Sequence, residues 1–397
     1  MPRPVESDLT QDDRLLRLFD GQAHPAPAAN PRLGLTFTRQ DYLALSSHPA
    51  VRAAAMAAMG GHRLVASCQD RAAPILALEH HLAAFLQLPA VATFPSGTEA
   101  IRQTFRALLR PGDHVILDSA AHPAMFETVL LSRAHPHRSP AASVEGVERR
   151  LMRLSRQPRR GRLVIALPAV SAYGSRVADL AELTALARQY GAILVADVTH
   201  DLGSMAPNGG GVMEIQSCLG RVDILLGSLA RTFGAPGGFA AFRDPDLKAA
   251  LPHGHTTPLS PVNAAAILAA LDLVAGPEGQ RRRRNLHGLS LRLRNHLMAD
   301  GIRLLGKASP FVPILLPPLT ALPRTALLES AGPRVPLLQA PCVPLHAPRW
   351  RIQLTAAHSP ADIDDLAELI RDVSRTFDRQ PARNRARPAV SSHGLTL

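Results

Sequence analysis

Short, continuously apolar runs separated by stretches of helical period most narrow what this chain can fold into. The runs are Val91–Phe94, His114–Leu117, Leu163–Leu167, Ile193–Ala196, Asp223–Gly227 and Gly238–Phe242. Between them lie amphipathic patterns such as Ile75–Leu86, Ala100–Leu109, Glu145–Leu154 and Leu180–Tyr190. A strand that is apolar on both alternating sides has to be covered on both faces. Helices interposed in the chain supply that cover, so the pattern predicts a largely parallel sheet in an α/β fold. After residue 260 the pattern changes. A long apolar helix leads into a basic helix near Gln280–Ala299, followed by strand-like Val312–Leu316 and Arg351–Leu354 and a helix near Pro360–Val373. This reads as a smaller α/β domain. The expected division is an N-terminal segment over 1–45, a large domain over 46–258, a small domain over 259–380 and a basic disordered tail over 381–397.

Composition removes several function classes. The apolar stretch Ala264–Ala275 is interrupted by Asp272 and is too short to span a bilayer. Met1–Phe19 mixes Arg with Glu and Asp and has no apolar core of a leader, so a cytoplasmic protein without a transmembrane segment is expected. Cys68, Cys218 and Cys342 are far apart, with no CxxC pair and no His-rich ligand spacing, so neither disulfides nor a metal is expected. The net charge of +12 sits mainly in Arg281–Arg284 and in a tail containing Arg371, Arg375, Arg379, Arg383, Arg385 and Arg387. Neither segment interleaves aromatics, so solvated surface is expected rather than a nucleic-acid site. Attraction of anionic partners such as acyl-CoA or an acidic acyl-carrier protein stays open. Only two lysines occur, Lys248 and Lys307, which limits the residues that could form an imine.

Chemistry-bearing side chains gather just beyond the strand ends. Ser96-Gly97-Thr98 follows one strand and opens a helix; it is either a helix cap or a seat for a phosphate dianion. Asp197 closes Ile193–Ala196, with His200 three residues on. A carboxylate there faces the crevice in which open α/β sheets bind ligands, although an isolated one would more often cap a turn. His122 and Ser171 sit beyond two further strands, and Ser228 and Arg231 lie in the glycine-rich link Gly227–Gly238. Five strand ends furnished in this way point to one site.

The order and spacing of these residues resemble the α-oxoamine synthases, from about Asp41 to Ile370. Asp41-Tyr42-Leu43-Ala44-Leu45 is similar to that family's NDYLGL, and Arg63-Leu64-Val65 with Gln69-Asp70 to its SRLVSGTQD. Arg351-Ile352-Gln353-Leu354-Thr355-Ala356-Ala357-His358 resembles its RISLTAAH. The resemblance implies pyridoxal-phosphate fold type I, with a mostly parallel seven-stranded sheet and a smaller C-terminal α/β domain. It also implies condensation of an amino acid with an acyl-CoA. By the same resemblance Ser96, Gly97, Thr98 and Ser228 hold the cofactor's phosphate, together with Thr256 and Thr257 reaching from the other subunit of a dimer. His122 stacks on the ring, Ser171 lies near it, Asp197 pairs with the pyridinium, His200 lies by the phenolic oxygen, and Arg351 clamps the amino acid's carboxylate.

The departures matter as much. Where the family's GTLSKALG carries the lysine that binds the cofactor, this chain has Arg231. A guanidinium is delocalised and stays protonated, so it offers no nucleophilic amine. Ser171-Ala172-Tyr173-Gly174-Ser175 replaces SMDGD, Leu167 stands where glutamate is common, and His62 replaces a serine. The expectation is a non-catalytic subunit or pseudoenzyme, as a homodimer or as the partner of a lysine-bearing homologue. Two alternatives are an acyltransferase holding pyridoxal phosphate non-covalently and a small-molecule or acyl-carrier binding protein.

Overall fold

The structure, a computed structural model, describes residues 35–61, 72–156, 161–252 and 258–378. Its centre is a seven-stranded sheet built from β1 (Ala90–Phe94), β2 (His114–Asp118), β3 (His135–Ser139), β4 (Leu163–Pro168), β5 (Ala192–Asp197), β6 (Ile224–Ser228) and β7 (Gly238–Phe242). The order across it is β1-β7-β6-β5-β4-β2-β3. Neighbours from β6 to β3 pair in parallel, as the apolar runs predict, and β7 alone runs antiparallel to both its neighbours. β6 passes to β7 through the glycine-rich link, with no helix between them, so the chain returns as a hairpin does. The two faces of the sheet feed two separate apolar clusters. Ile116, Ile165 and Leu194 pack to one side, and Val115, Val164 and Val195 to the other.

One strand of the large sheet carries no apolar run. β3, His-Pro-His-Arg-Ser, is an edge strand in which only Ser139 is buried, so it never needed one, and the edge tolerates Pro136. In the C-terminal part, β8 (Phe311–Leu315) and the two-residue β9 (Leu337–Leu338) flank β10 (Arg349–Gln353) in an antiparallel sheet. β10 begins two residues earlier than the pattern suggests because Arg349 and Trp350 are also buried. The helix expected from Ala100 starts at Gly97, since Ser96 Oγ accepts the Glu99 N–H at 3.2 Å and caps it. The apolar and basic helices, Pro261–Ala275 and Pro277–Ala299, each open on a proline and meet at Gly276 with a 75° bend. Among the described residues no single helix is long and apolar enough to cross a membrane.

Candidate active site

Topology decides where chemistry can occur. Phe94 pairs with Gly238, Gly238 with Ser228, and Asp197 with Pro168, so the ends of β1, β4, β5 and β6 lie along one edge of the sheet. Ser96, Gly97, Thr98, His122, Asp197, His200, Ser228 and Arg231 all line a cavity of about 180 Å³ on that edge. Eight residues scattered over 136 positions thus meet because their strands stop together.

The turn after β1 fits its neighbours tightly. A Cβ on Gly97 would stand 2.9 Å from Ser228 Cβ, and one on Gly238 would stand 2.2 Å from the Ser96 carbonyl oxygen. The backbone of the helix N-terminus is therefore pressed against the end of β6, where N–H groups and a hydroxyl converge. Thr199, which was not singled out in the sequence, ties the next strand in. Its Oγ1 accepts the Ser228 N–H at 3.0 Å, and its own N–H donates to Asp197 Oδ1 at 2.9 Å. Burial pushes the Asp197 carboxyl up, while Thr199, His122 and Arg231 pull it back toward ionisation.

The two histidines are neutral-leaning. His122 caps the helix Pro123–Leu131, its Nδ1 accepting the Ala124 N–H at 3.2 Å. Burial lowers its pKa, Arg231 and Arg102 lower it further, and Asp197 opposes them. His200 is held well below the ordinary imidazole range by burial first and then by Arg351, Arg231 and His122. Its Nδ1 shares a 2.8 Å hydrogen bond with the Tyr42 hydroxyl, a contact across 158 positions that no local pattern announces. Phe311 meets the His200 ring edge-on at 5.5 Å between centroids, which brings the C-terminal sheet to the site.

Arg351 stands over Phe311 at 4.4 Å and is only 6% exposed. Its Nε and Nη2, and Nε of Arg231, have no hydrogen-bond partner among the described residues. Buried guanidinium donors without an acceptor are costly and are ready for an anion. Arg351 is not itself part of the cavity lining; it lies behind, across Phe311 and His200. Ser171 is also outside that lining. Its Oγ accepts the Arg176 N–H at 2.9 Å within its own turn, and Ala172 and Tyr173 face the cavity instead. Thr256, Thr257, His62, Arg63-Leu64-Val65 and Gln69-Asp70 fall outside the described residues. Neither lysine lines the cavity. Lys248 sits on the short helix Pro245–Ala249 and pairs with Glu79 at 3.2 Å, while Lys307 is exposed beside Ser175.

A family model described as aminotransferase class I and II matches residues 33–370. The chain belongs to that family. Within it the resemblance is to α-oxoamine synthases, a pyridoxal-phosphate-dependent group. The 8-amino-7-oxononanoate synthase of Marinobacter nauticus is 31% identical over 93% of this chain and 95% of its own length. That of Citrifermentans bemidjiense is 29% identical over 91% and 94%. Among solved structures, serine palmitoyltransferase of Sphingomonas wittichii superposes with a TM-score of 0.79 at 24% identity, covering 86% of this chain and 88% of the other. A lysine-to-alanine variant of serine palmitoyltransferase from S. paucimobilis, with bound PLP–myriocin aldimine, gives the same TM-score, identity and coverage. The fold of this aminotransferase-family chain is thus the type I fold expected from its motifs.

Proposed function

We propose that this chain binds pyridoxal phosphate without a covalent bond to the protein and is a non-catalytic member of its family, a pseudoenzyme or a partner subunit. The observation that carries the reading is Arg231 in the cavity, with both lysines elsewhere. The remaining residues fit the cofactor. A dianion suits the helix N-terminus at Gly97 and the Ser228 hydroxyl, pressed together where no Cβ could intervene. Asp197, held by Thr199, would keep a pyridine nitrogen protonated, and His122 offers an imidazole face beside it. His200, fixed by Tyr42, would orient a phenolic oxygen, and the unpartnered donors of Arg351 suit a carboxylate. When bound, the cofactor supplies an electron sink for a carbanion α to an amine.

Moving the α-proton needs a base that alternates between neutral and charged forms. Arg231 stays protonated, and no lysine lines the cavity to take the proton in its place. A homodimer, or a heterodimer with a lysine-bearing homologue in the cytoplasm, follows from the same reading, with Thr256 and Thr257 completing the partner's phosphate site. Acyl-CoA or an acyl-carrier protein and an amino acid would then be the partner's substrates. The intact Asp197, His122 and His200 favour one second reading, an acyltransferase working with non-covalent cofactor.

The test is to load the purified chain with pyridoxal phosphate, reduce with borohydride and map peptides by mass, with CoA release assayed in parallel. The expected result is cofactor lost on dialysis, no phosphopyridoxyl adduct and no CoA release. A stoichiometric adduct on Lys248 or Lys307 would refute non-covalent binding. Robust CoA release by the chain alone would establish the second reading.

A further inference from the structure

A second cavity, larger than the first and sharing no lining residue with it, opens between the turn after β5 and the basic helix Pro277–Ala299. Its volume is about 490 Å³, within the size of small-molecule sites. Met205, Ala206, Ile215, Leu286, Ala308 and Pro310 make its walls apolar. Ile215 is left 57% exposed at the rim, an apolar surface with no protein cover. The charged and long polar side chains all come from the helix wall, while the hydroxyls of Ser204 and Ser309 donate to the carbonyls of His200 and Phe311. Gln280, Arg284 and His287 are exposed at spacings of four and three along the helix, which stacks them in a row on one face.

Beneath that row Arg283 is 4% exposed and also borders the cavity. Its guanidinium donates to the carbonyls of Val274 at 2.7 Å, Pro207 at 2.7 Å and Gly203 at 3.3 Å, and its Nε has no partner among the described residues. Carbonyls accept from its two terminal nitrogens but do not cancel its charge. No acidic residue lines the cavity among the described residues. Glu214, outside the lining, offsets part of the Arg283 charge, and Arg284 leaves this wall positive on balance beside an apolar trough.

We propose that this cavity binds an amphiphile with a single alkyl chain and an anionic head group, with the chain along Met205, Ile215 and Leu286 and the head beside Arg284 and His287. Apolar walls alone would accept any oily molecule; the one-sided row of donors over a buried cation selects the sign of the head. The site is separate from the cofactor cavity but close to it. The turn that forms its wall begins just after His200, whose carbonyl accepts from Ser204 Oγ at 3.1 Å, and Pro310 directly precedes Phe311.

The proposal is tested on the full chain saturated with pyridoxal phosphate, by calorimetric titration with dodecanoate below its micelle concentration. Dodecyltrimethylammonium serves as the cationic control, and phosphatidylglycerol vesicles as the lipid-surface control. Saturable dodecanoate binding is expected, with the ammonium analogue at least tenfold weaker. Arg284→Glu should weaken dodecanoate about tenfold by turning an attraction into a repulsion near the head group. Ala206→Trp should weaken it by filling the trough, while Arg231→Gln should leave it unchanged. Equal affinity for the cationic analogue, an unchanged affinity in Arg284→Glu, or a dodecanoate affinity that rises when pyridoxal phosphate is left out would each overturn the proposal. So would binding to the vesicles with no saturable binding of the monomer, which would assign the basic helix to a lipid surface.

Discussion

Asp201 offers the sharpest test of the electrostatics beneath the site. It is fully buried, its Oδ2 accepts the Val212 N–H at 2.8 Å, and its Oδ1 has no partner among the described residues. Burial, reinforced by the charge of Asp197, pushes its carboxyl from 3.8 up to about 8. A carboxyl whose pKa is higher folded than unfolded binds its proton more tightly in the native state. The unfolded chain therefore gives up the proton first as pH rises, and stability is full below pH 4 and lost as pH climbs through 8. A shift of about four units at about 1.36 kcal/mol per unit corresponds to roughly 5 kcal/mol across that window. Asp201→Asn keeps an acceptor for Val212 and removes the titration. Urea unfolding of both proteins between pH 5 and pH 8 should show the wild type losing about 4 kcal/mol relative to the variant, about 1.4 per pH unit. Parallel profiles, or a wild type gaining stability relative to the variant over this range, would refute a protonated Asp201.

Other expectations concern the cofactor cavity. Arg231→Lys should bring a visible absorbance band and a borohydride-trapped adduct at that position, because an amine introduced there would react within the complex rather than from solution. Synthase activity should stay low on the proposed reading that Leu167, Tyr173 and His62 also depart from the family pattern; an absent band would show a cavity that does not hold an amine at this position against the cofactor. Asp197→Asn should raise the dissociation constant of pyridoxal phosphate by about tenfold or more in a fluorescence titration, the scale of one charge-assisted hydrogen bond. An unchanged constant would remove Asp197 from the cofactor's partners.

Much of the architecture was legible from the amino-acid sequence. Six strands of the large sheet, its parallel core and the covering helices follow from apolar runs of strand length between helical periods, because burial on two faces leaves a compositional mark. The motif residues at the strand ends were legible too, since Ser96, Asp197 and Ser228 each stand where an apolar run stops. β3 was not, because an edge strand with one buried residue leaves no such mark.

What the sequence by itself determined is therefore the fold class, the family, and an arginine at position 231 in the link between β6 and β7. These depend on local periodicity and on the chemistry of single residues. Only the tertiary structure decided which groups meet. Tyr42 reaches His200, Thr199 bridges Asp197 to the Ser228 backbone, Ser171 is spent in its own turn, and Tyr173 takes the cavity wall beside it. The cavity below the basic helix belongs to this class as well, because its walls come from three segments more than a hundred positions apart end to end. Contacts of this kind are set by where strands end and how helices cross them, and the free energy that holds them comes from packing that no short stretch of sequence contains.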